Sequence, residues 1–147
     1  MKKILRQFVQ QSKKTNLSCK EAKTRDGKDV VIVYHEPYTT AVAVVENDGK
    51  LNKVGRAEFA FKNRNKTMYL RMIKIEEDFR NQGIGSAMMN NLVEYAHQKQ
   101  CDKVELIAAK RLRNFYQNLG FCCTGKTNTG FAIMDLTELT KENNQSI

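Results

Sequence analysis

The sequence predicts an α/β (α+β) fold, in which helices flank one mixed, mostly antiparallel sheet of about six to seven strands. Short β-branched runs between turn residues fill the first half of the chain, which is typical of antiparallel strands. The second half alternates strand and helix patterns, as a crossover between parallel strands requires. The chain has 147 residues, of which 41% are hydrophobic, so we expect a single domain over residues 1–147.

Residues 1–28 form a basic amino-terminal segment, with nine Lys and Arg against two acidic residues, whereas the rest of the chain has 16 against 14. Four apolar residues recur there at helical spacing and predict an amphipathic helix over residues 2–13 that packs on the core. They are Ile4, Leu5, Phe8 and Val9. The basic outer face also suits an acidic membrane, nucleic acid or protein, and an acid-free start loosely resembles an organelle transit peptide. These alternatives stay open.

The next segments read as strands separated by polar turns. Asn47-Asp48-Gly49-Lys50 predicts a tight hairpin, because Asp-Gly readily adopts positive φ angles. The apolar side of the last strand changes parity near Met72, which predicts a bulge or bend. The predicted strands cover residues 30–34, 40–45, 51–61 and 68–75.

Helical periodicity begins at residue 86. The predicted elements are a helix over residues 86–98, a strand over 103–108, a helix over about 111–119 that Gly120 ends, a strand over 131–136 and a polar tail over 137–147. Because a helix connects them, we expect the strands at 68–75 and 103–108 to be parallel and adjacent.

The cysteine pattern and the hydropathy exclude several functional classes. Cys19, Cys101, Cys122 and Cys123 have no C-x-x-C spacing, so they indicate neither a metal site nor a disulfide framework. No run approaches the roughly 18 apolar residues of a membrane span, and no secretory signal is apparent. We therefore expect a cytoplasmic protein with reduced thiols, no metal and no membrane contact.

Six residues between a predicted strand and the first long helix after it suit a phosphate: Arg80-Asn81-Gln82-Gly83-Ile84-Gly85. A turn that enters a helix directs unpaired N–H groups and the positive end of the helix dipole at one place. Gly83 and Gly85 allow close approach of a diphosphate, and Arg80 adds a cation. By itself the motif fits an ordinary strand-to-helix turn equally well.

Further motifs stand in order around this turn. Ile73-x-Ile75 precedes Arg80-x-x-Gly83-x-Gly85, and Asn114-Phe115-Tyr116-Gln117-Asn118-Leu119-Gly120-Phe121 follows about thirty residues later, while Val54-Gly55 lies on an earlier strand. This arrangement resembles the GNAT superfamily of acyl-coenzyme A N-acyltransferases over roughly residues 30–136. The resemblance implies an N-acetyltransferase that uses acetyl-coenzyme A as co-substrate, with a central pair of parallel strands that splay apart.

The resemblance also assigns binding residues. The diphosphate would be held mainly by main-chain N–H groups of Arg80, Asn81, Gln82, Gly83, Ile84, Gly85 and Ser86. The pantetheine arm would pair, much as an added strand would, with the backbone of Ile73, Lys74 and Ile75.

Two catalytic roles need side chains. Tyr116 matches the family's tyrosine that protonates the departing thiolate, although an aromatic at this position also fits core packing. Glu76 is the first candidate for the base that deprotonates the amine, followed by Glu77, Glu58 and His35. Each of these is also an ordinary surface residue.

The sequence departs from the family pattern in two places. Ala108-Ala109-Lys110 replaces a position that is commonly Asn and Leu112 replaces Ala, so we expect one pantetheine contact to be missing or relocated. The two-helix segment that usually shapes the acceptor pocket is absent or displaced. We expect the acceptor to be a primary amine of a small molecule, amino acid or peptide. Nucleic acid is not expected as a partner, and a homodimer is left open. The alternative function is a non-catalytic coenzyme A-binding or interaction module that uses the basic segment.

Overall fold

The computed structural model describes residues 1–15 and 17–137. Its helices are α1 (Lys3–Lys13), α2 (Ile84–Gln98) and α3 (Arg113–Asn118), with short 3₁₀ turns at Glu36–Tyr38, Glu77–Phe79 and Lys110–Leu112. Its strands are β1 (Ser18–Lys23), β2 (Asp29–His35), β3 (Thr40–Asn47), β4 (Lys50–Lys62), β5 (Thr67–Ile75), β6 (Lys103–Ala108), β7 (Cys122–Lys126) and β8 (Ala132–Leu136). The predicted tail over 137–147 lies, apart from Thr137, outside the described residues.

The described strands form one sheet in the order β1-β2-β3-β4-β5-β6-β8-β7. The ladder of β5 with β6 is parallel, pairing Thr67–Leu70 with Lys103–Leu106, and the other described ladders are antiparallel. The predicted mixed sheet with a parallel pair is confirmed. Its eight strands include two beyond the six ranges listed from the sequence, β1 and β7. The polar residues of β1 lack an apolar alternation but pair with β2 along their whole length.

Met1–Glu58 and Met72–Asn91 form one compact unit. In it, α1 packs Leu5 and Val9 on a buried cluster that includes Val31, Val33 and Val44. The main-chain N–H of Leu5 also donates to Glu46 Oε1 at 2.8 Å. The helix predicted over residues 2–13 and its packing on the core are therefore confirmed.

A bulge in β4 brings strand and helix close together in this unit. The β3–β4 register passes from Ala43↔Gly55 to Val44↔Lys53, which leaves Val54 unopposed. Its carbonyl oxygen accepts a hydrogen bond from the N–H of Glu76 at 2.8 Å. A Cβ on Gly55 would lie 2.7 Å from Met88 Sδ and 2.8 Å from Ile75 Cδ1. The absence of a side chain at Gly55 thus allows α2 and the end of β5 to pack against β4.

The second compact unit comprises Phe59–Arg71 and, among the described residues, 92–137. The helix predicted over 111–119 is divided here, because a 3₁₀ turn closed by the Leu112 N–H on Ala109 O precedes the shorter α3. Gly120, with φ of +99°, follows the helix as predicted. The expectation of a single domain over residues 1–147 stays a prediction.

Candidate active site

The turn after β5 is built on two left-handed residues. Asn81 has φ of +62° and Gly83 has φ of +81°. The carbonyl oxygen of Gly83 accepts the first helical hydrogen bond, from Ala87 N–H at 3.1 Å, so α2 begins at Ile84. The helix therefore starts two residues before the predicted start, residue 86, and Ile84 and Gly85 lie in its first helical turn.

The start of α2 presents a set of free donors. Within the described part of the chain, the N–H groups of Gly83, Ile84, Gly85 and Ser86 donate no hydrogen bond. The buried Ile84 side chain anchors this first turn to the core. Free N–H groups at the positive end of a helix dipole are suited to anionic oxygens. The turn therefore fits a diphosphate.

Three contacts hold the turn in place. Arg80 donates from Nε to Ile75 O at 2.9 Å, which ties the turn to the end of β5. Lys28 donates from Nζ to Gln82 Oε1 at 2.6 Å. A Cβ on Gly83 would lie 3.3 Å from Thr24 Cβ. Sequence reasoning did not find Thr24 and Lys28, because they are far from the turn in sequence and belong to no recognisable motif.

The proposed pantetheine residues form the end of β5. Ile73 and Ile75 are half-buried and Lys74 is exposed. Met72 is also half-buried, so the alternation of burial breaks at the position where the parity change predicted an irregularity. The last residues of β5 continue beyond the parallel ladder, which ends at Leu70.

Tyr116 lies on α3, in the second compact unit. Its residue is only 5% exposed, and its ring makes edge contacts with Phe115 and Phe121 at centroid distances of 5.1 and 5.8 Å. Burial raises the pKa of the phenol above its ordinary value. Among the described residues, the hydroxyl has no hydrogen-bond partner, yet no fully buried side-chain oxygen is unpaired. The oxygen therefore reaches solvent-accessible space while the ring is packed.

The candidate bases differ in their surroundings. Glu76 and Glu77 are exposed, and within residues 1–15 and 17–137 neither carboxylate forms an ion pair. Glu58, in contrast, accepts from Arg56 at 3.1 Å. His35 is half-buried at a pocket of about 730 Å³ that Tyr38 also borders.

The described residues contain neither a metal-ligand group nor a membrane-spanning helix. In residues 1–15 and 17–137, no three His, Cys, Asp or Glu side chains are grouped as metal ligands. Across the same ranges, no helix combines the length and apolar character that crossing a membrane requires. The four cysteines are free thiols, of which Cys101 is buried and Cys122 exposed.

Comparison with known families agrees with this arrangement. Residues 5–121, well over half of the chain, match the profile of the acetyltransferase (GNAT) family. The protein is thus an acyltransferase that uses acetyl-coenzyme A as co-substrate. The chain belongs to the acetyltransferase (GNAT) family. No curated protein sequence matched it at the threshold applied.

Solved structures share the fold. Ard1 from Thermoplasma volcanium is 20% identical, with a TM-score of 0.55 over 67% of this chain and 70% of that chain. The spermidine/spermine N-acetyltransferase SpeG from Vibrio cholerae is 20% identical, with a TM-score of 0.58 over 74% and 72%. PaiA N-acetyltransferase from Thermoplasma acidophilum, in complex with coenzyme A, is 17% identical, with a TM-score of 0.55 over 67% and 59%.

Proposed function

We propose that this protein transfers the acetyl group of acetyl-coenzyme A to a primary amine of a small molecule, amino acid or peptide by direct attack. The observation that carries the proposal is the set of free N–H groups at the start of α2, in a chain of the GNAT family. When bound, acetyl-coenzyme A supplies an activated acetyl thioester with a thiol leaving group of pKa about 8.5. The protein's residues bind it, position the amine and move the protons.

Residues 80–86 hold the diphosphate, chiefly through the main chain. The free N–H groups of Gly83, Ile84, Gly85 and Ser86 are available to its oxygens, and Arg80, Asn81 and Gln82 shape the turn before them. The backbone of Ile73, Lys74 and Ile75 pairs with the amides of the pantetheine arm, as in strand addition. Side-chain identity matters less here than backbone direction.

Tyr116 is the general acid. Its packed ring fixes the direction of the hydroxyl, which has no competing hydrogen bond in the described chain. Because burial raises the phenol pKa, Tyr116 keeps its proton throughout the neutral range. A positioned proton donor of this kind typically accelerates a reaction by about 10²–10⁴.

Glu76 accepts a proton from the attacking amine, directly or through a water molecule. An amine is a nucleophile only in its neutral form, so its ammonium form must lose a proton first. The carboxylate of Glu76 is exposed, whereas that of Glu58 is already paired with Arg56. Two solved relatives illustrate how widely acceptors vary: SpeG is named for spermidine and spermine, and the NatC structure contains a Gag peptide.

The four free thiols suit a reducing compartment, so we place this activity in the cytoplasm.

The proposal is tested by mixing the protein with acetyl-coenzyme A and a panel of polyamines, amino acids, peptides and aminoglycosides. Free coenzyme A is quantified by chromatography. For an amine that is turned over, Tyr116→Phe should lower kcat by about 10²-fold without weakening acetyl-coenzyme A binding. In the wild type, kcat should not fall through loss of the Tyr116 proton below about pH 10, because the raised pKa favours the protonated form.

Tyr69→Phe is the matched control, since it removes a hydroxyl from a half-buried strand residue. It should leave kcat unchanged. Coenzyme A binding without product for any amine would favour a non-catalytic role, and equal kcat values for Tyr116→Phe and wild type would remove Tyr116 from the mechanism.

A further inference from the structure

We infer that the Lys28 ammonium group is a phosphate ligand for bound acyl-coenzyme A, delivered to the turn after β5 by the turn between β1 and β2. The inference rests on the proposed function, since it adds a residue to the same binding site. It assigns the polar β1–β2 hairpin, which lies outside the recognised motifs, a part in co-substrate recognition.

Three hydrogen bonds close the β1–β2 turn. Thr24 N–H donates to Lys28 O at 2.9 Å, and Lys28 N–H donates back to Thr24 Oγ1 at 3.0 Å. Gly27 N–H closes the turn on Thr24 O at 2.9 Å. Thr24 is 5% exposed, so the residue whose side-chain oxygen accepts from Lys28 N–H is itself buried. These hydrogen bonds therefore fix the backbone from which the Lys28 side chain extends.

This turn contacts two successive residues of the candidate phosphate turn. Lys28 Nζ lies 2.6 Å from Gln82 Oε1. Thr24 lies against Gly83, where a Cβ would come within 3.3 Å of its own Cβ. Gly83 is the residue whose carbonyl oxygen begins the hydrogen bonding of α2. The ammonium group is thus held beside the end of the helix that carries the free N–H groups.

The hydrogen-bond partner of Lys28 is uncharged and does not neutralise its positive charge. An ammonium has three donors, and its one hydrogen-bond partner among the described residues is the neutral amide of Gln82. Lys28 lines a cleft of about 840 Å³ that Asp26, Asp29 and Asp78 also line. None of these carboxylates forms an ion pair with Lys28 within the described chain.

The carboxylate of Asp29 in this cleft is already paired with two other positive groups. Lys23 Nζ lies 3.0 Å from one of its oxygens, and the amino terminus lies 3.7 Å from the other. The hydrogen bond from Lys23 keeps the pKa of Asp29 below its ordinary value, so this carboxylate stays charged and paired. Arg80, the cation expected from the sequence, donates from Nε to Ile75 O. Arg80 keeps its Nη donors, and Lys28 is a second cation with donors to spare at this turn.

The experiment measures binding of acetyl-coenzyme A to the full chain by calorimetry, with Lys28→Met, Lys28→Arg and Lys14→Met. Lys28→Met should raise Kd about fivefold, the upper range for an exposed ion pair, and the difference should shrink in high salt. Lys28→Arg should restore most of the affinity. Lys14→Met removes the same charge from the exposed end of α1 and should bind as wild type. At saturating co-substrate, kcat of Lys14→Met should equal that of the wild type.

A second ligand identifies the phosphate. If the Lys28→Met effect disappears with 3′-dephospho acetyl-coenzyme A, Lys28 binds the 3′-phosphate; if it persists, Lys28 binds the diphosphate. Equal Kd values for Lys28→Met and wild type, or an equal loss in Lys14→Met, would overturn the inference. Loss of affinity in Lys28→Arg equal to that in Lys28→Met, with a lowered Tm in both, would indicate a structural role and overturn it too. Wild-type protein without affinity for acetyl-coenzyme A would instead overturn the proposed function.

Discussion

Gly83 is the residue on which the geometry of the candidate phosphate turn depends most. Its φ of +81° is a conformation that costs a residue with a side chain about 1–2 kcal/mol. Its Cα also faces Thr24, which leaves little room for a Cβ. A change here should therefore disturb both the direction of the N–H groups and the contact with the β1–β2 turn.

We predict that Gly83→Ala lowers the free energy of unfolding by about 1–2 kcal/mol and weakens acetyl-coenzyme A binding. Gly130→Ala is the matched control, because Gly130 has φ of +88° but open space around its Cα. It should lose similar stability and keep the wild-type Kd. Denaturant unfolding and calorimetry measure the two effects. If both variants bind equally well, the turn geometry is not what binds the co-substrate.

Arg80 and Lys28 show how far single residues could be interpreted from the sequence. The motif located the turn, because glycine at fixed spacing before a helix has a direct backbone consequence. It did not predict that Arg80 would bind the carbonyl of Ile75, nor that a lysine 54 positions away would contact Gln82. Both contacts depend on the tertiary arrangement, for which a local pattern carries no signal.

The elements α2 and β4 lie close together at one residue. The contact is made at Gly55, where a Cβ would press on Met88 and Ile75. Ile75 ends the strand whose backbone we propose to pair with pantetheine. Packing at Gly55 thus affects the positions of α2 and β5, the two elements that we propose to bind acetyl-coenzyme A.

We predict that Gly55→Ala destabilises the protein by about 1–3 kcal/mol, the usual cost of overpacking a core. Gly125→Ala in β7 is the control, because its Cβ would meet Ile133 Cδ1 at an ordinary 3.8 Å. It should change stability little. Chemical denaturation with both variants gives the comparison. Equal stability of Gly55→Ala and wild type would show that Met88 and Ile75 can move aside at no cost.

Element boundaries were predictable where apolar periodicity was strong. The run at 30–34 lies in β2, and the hairpin at Asn47-Asp48-Gly49-Lys50 has the expected positive φ at Asp48 and Gly49. β1 was not predicted, because its sequence of Ser18 to Lys23 shows no apolar alternation and its pairing with β2 decides its structure. The start of α2 was misplaced by two residues because Gly83 ends the turn earlier than the apolar stripe indicated.

Across the whole molecule, the four cysteines differ in how deeply they are buried. Cys122 is exposed, Cys19 and Cys123 are half-buried, and Cys101 is only 2% exposed. Burial, followed by the nearby charge of Asp102, raises the pKa of the Cys101 thiol. Its Sγ donates to Asn65 O at 3.3 Å.

We predict that iodoacetamide at pH 8 modifies Cys122 first and Cys101 last, with Cys101 at least about tenfold slower, because the thiolate is the reactive form. Peptide mass mapping over time measures the order. Denatured protein is the control and should lose the ranking. Reaction of Cys101 as fast as Cys122 in the native protein would contradict the burial described here.

Neither single residues nor single elements identify the acceptor amine. A short motif predicts the proposed donor site, because glycine spacing before a helix has a direct backbone consequence. The two-helix segment that usually shapes the acceptor pocket in the family is absent or displaced in this sequence, so no motif predicts the acceptor. The amine panel is therefore the informative experiment on the whole protein.

The polar composition of β1 has a further consequence for the protein in concentrated solution. An outermost strand exposes unpaired backbone groups on which another chain can add a strand, and such growth leads to aggregates. Lys20, Glu21 and Lys23 would place charges along the row of any added strand. The charged residues of β1 explain why apolar alternation did not predict this strand. They also discourage self-association at this edge of the sheet.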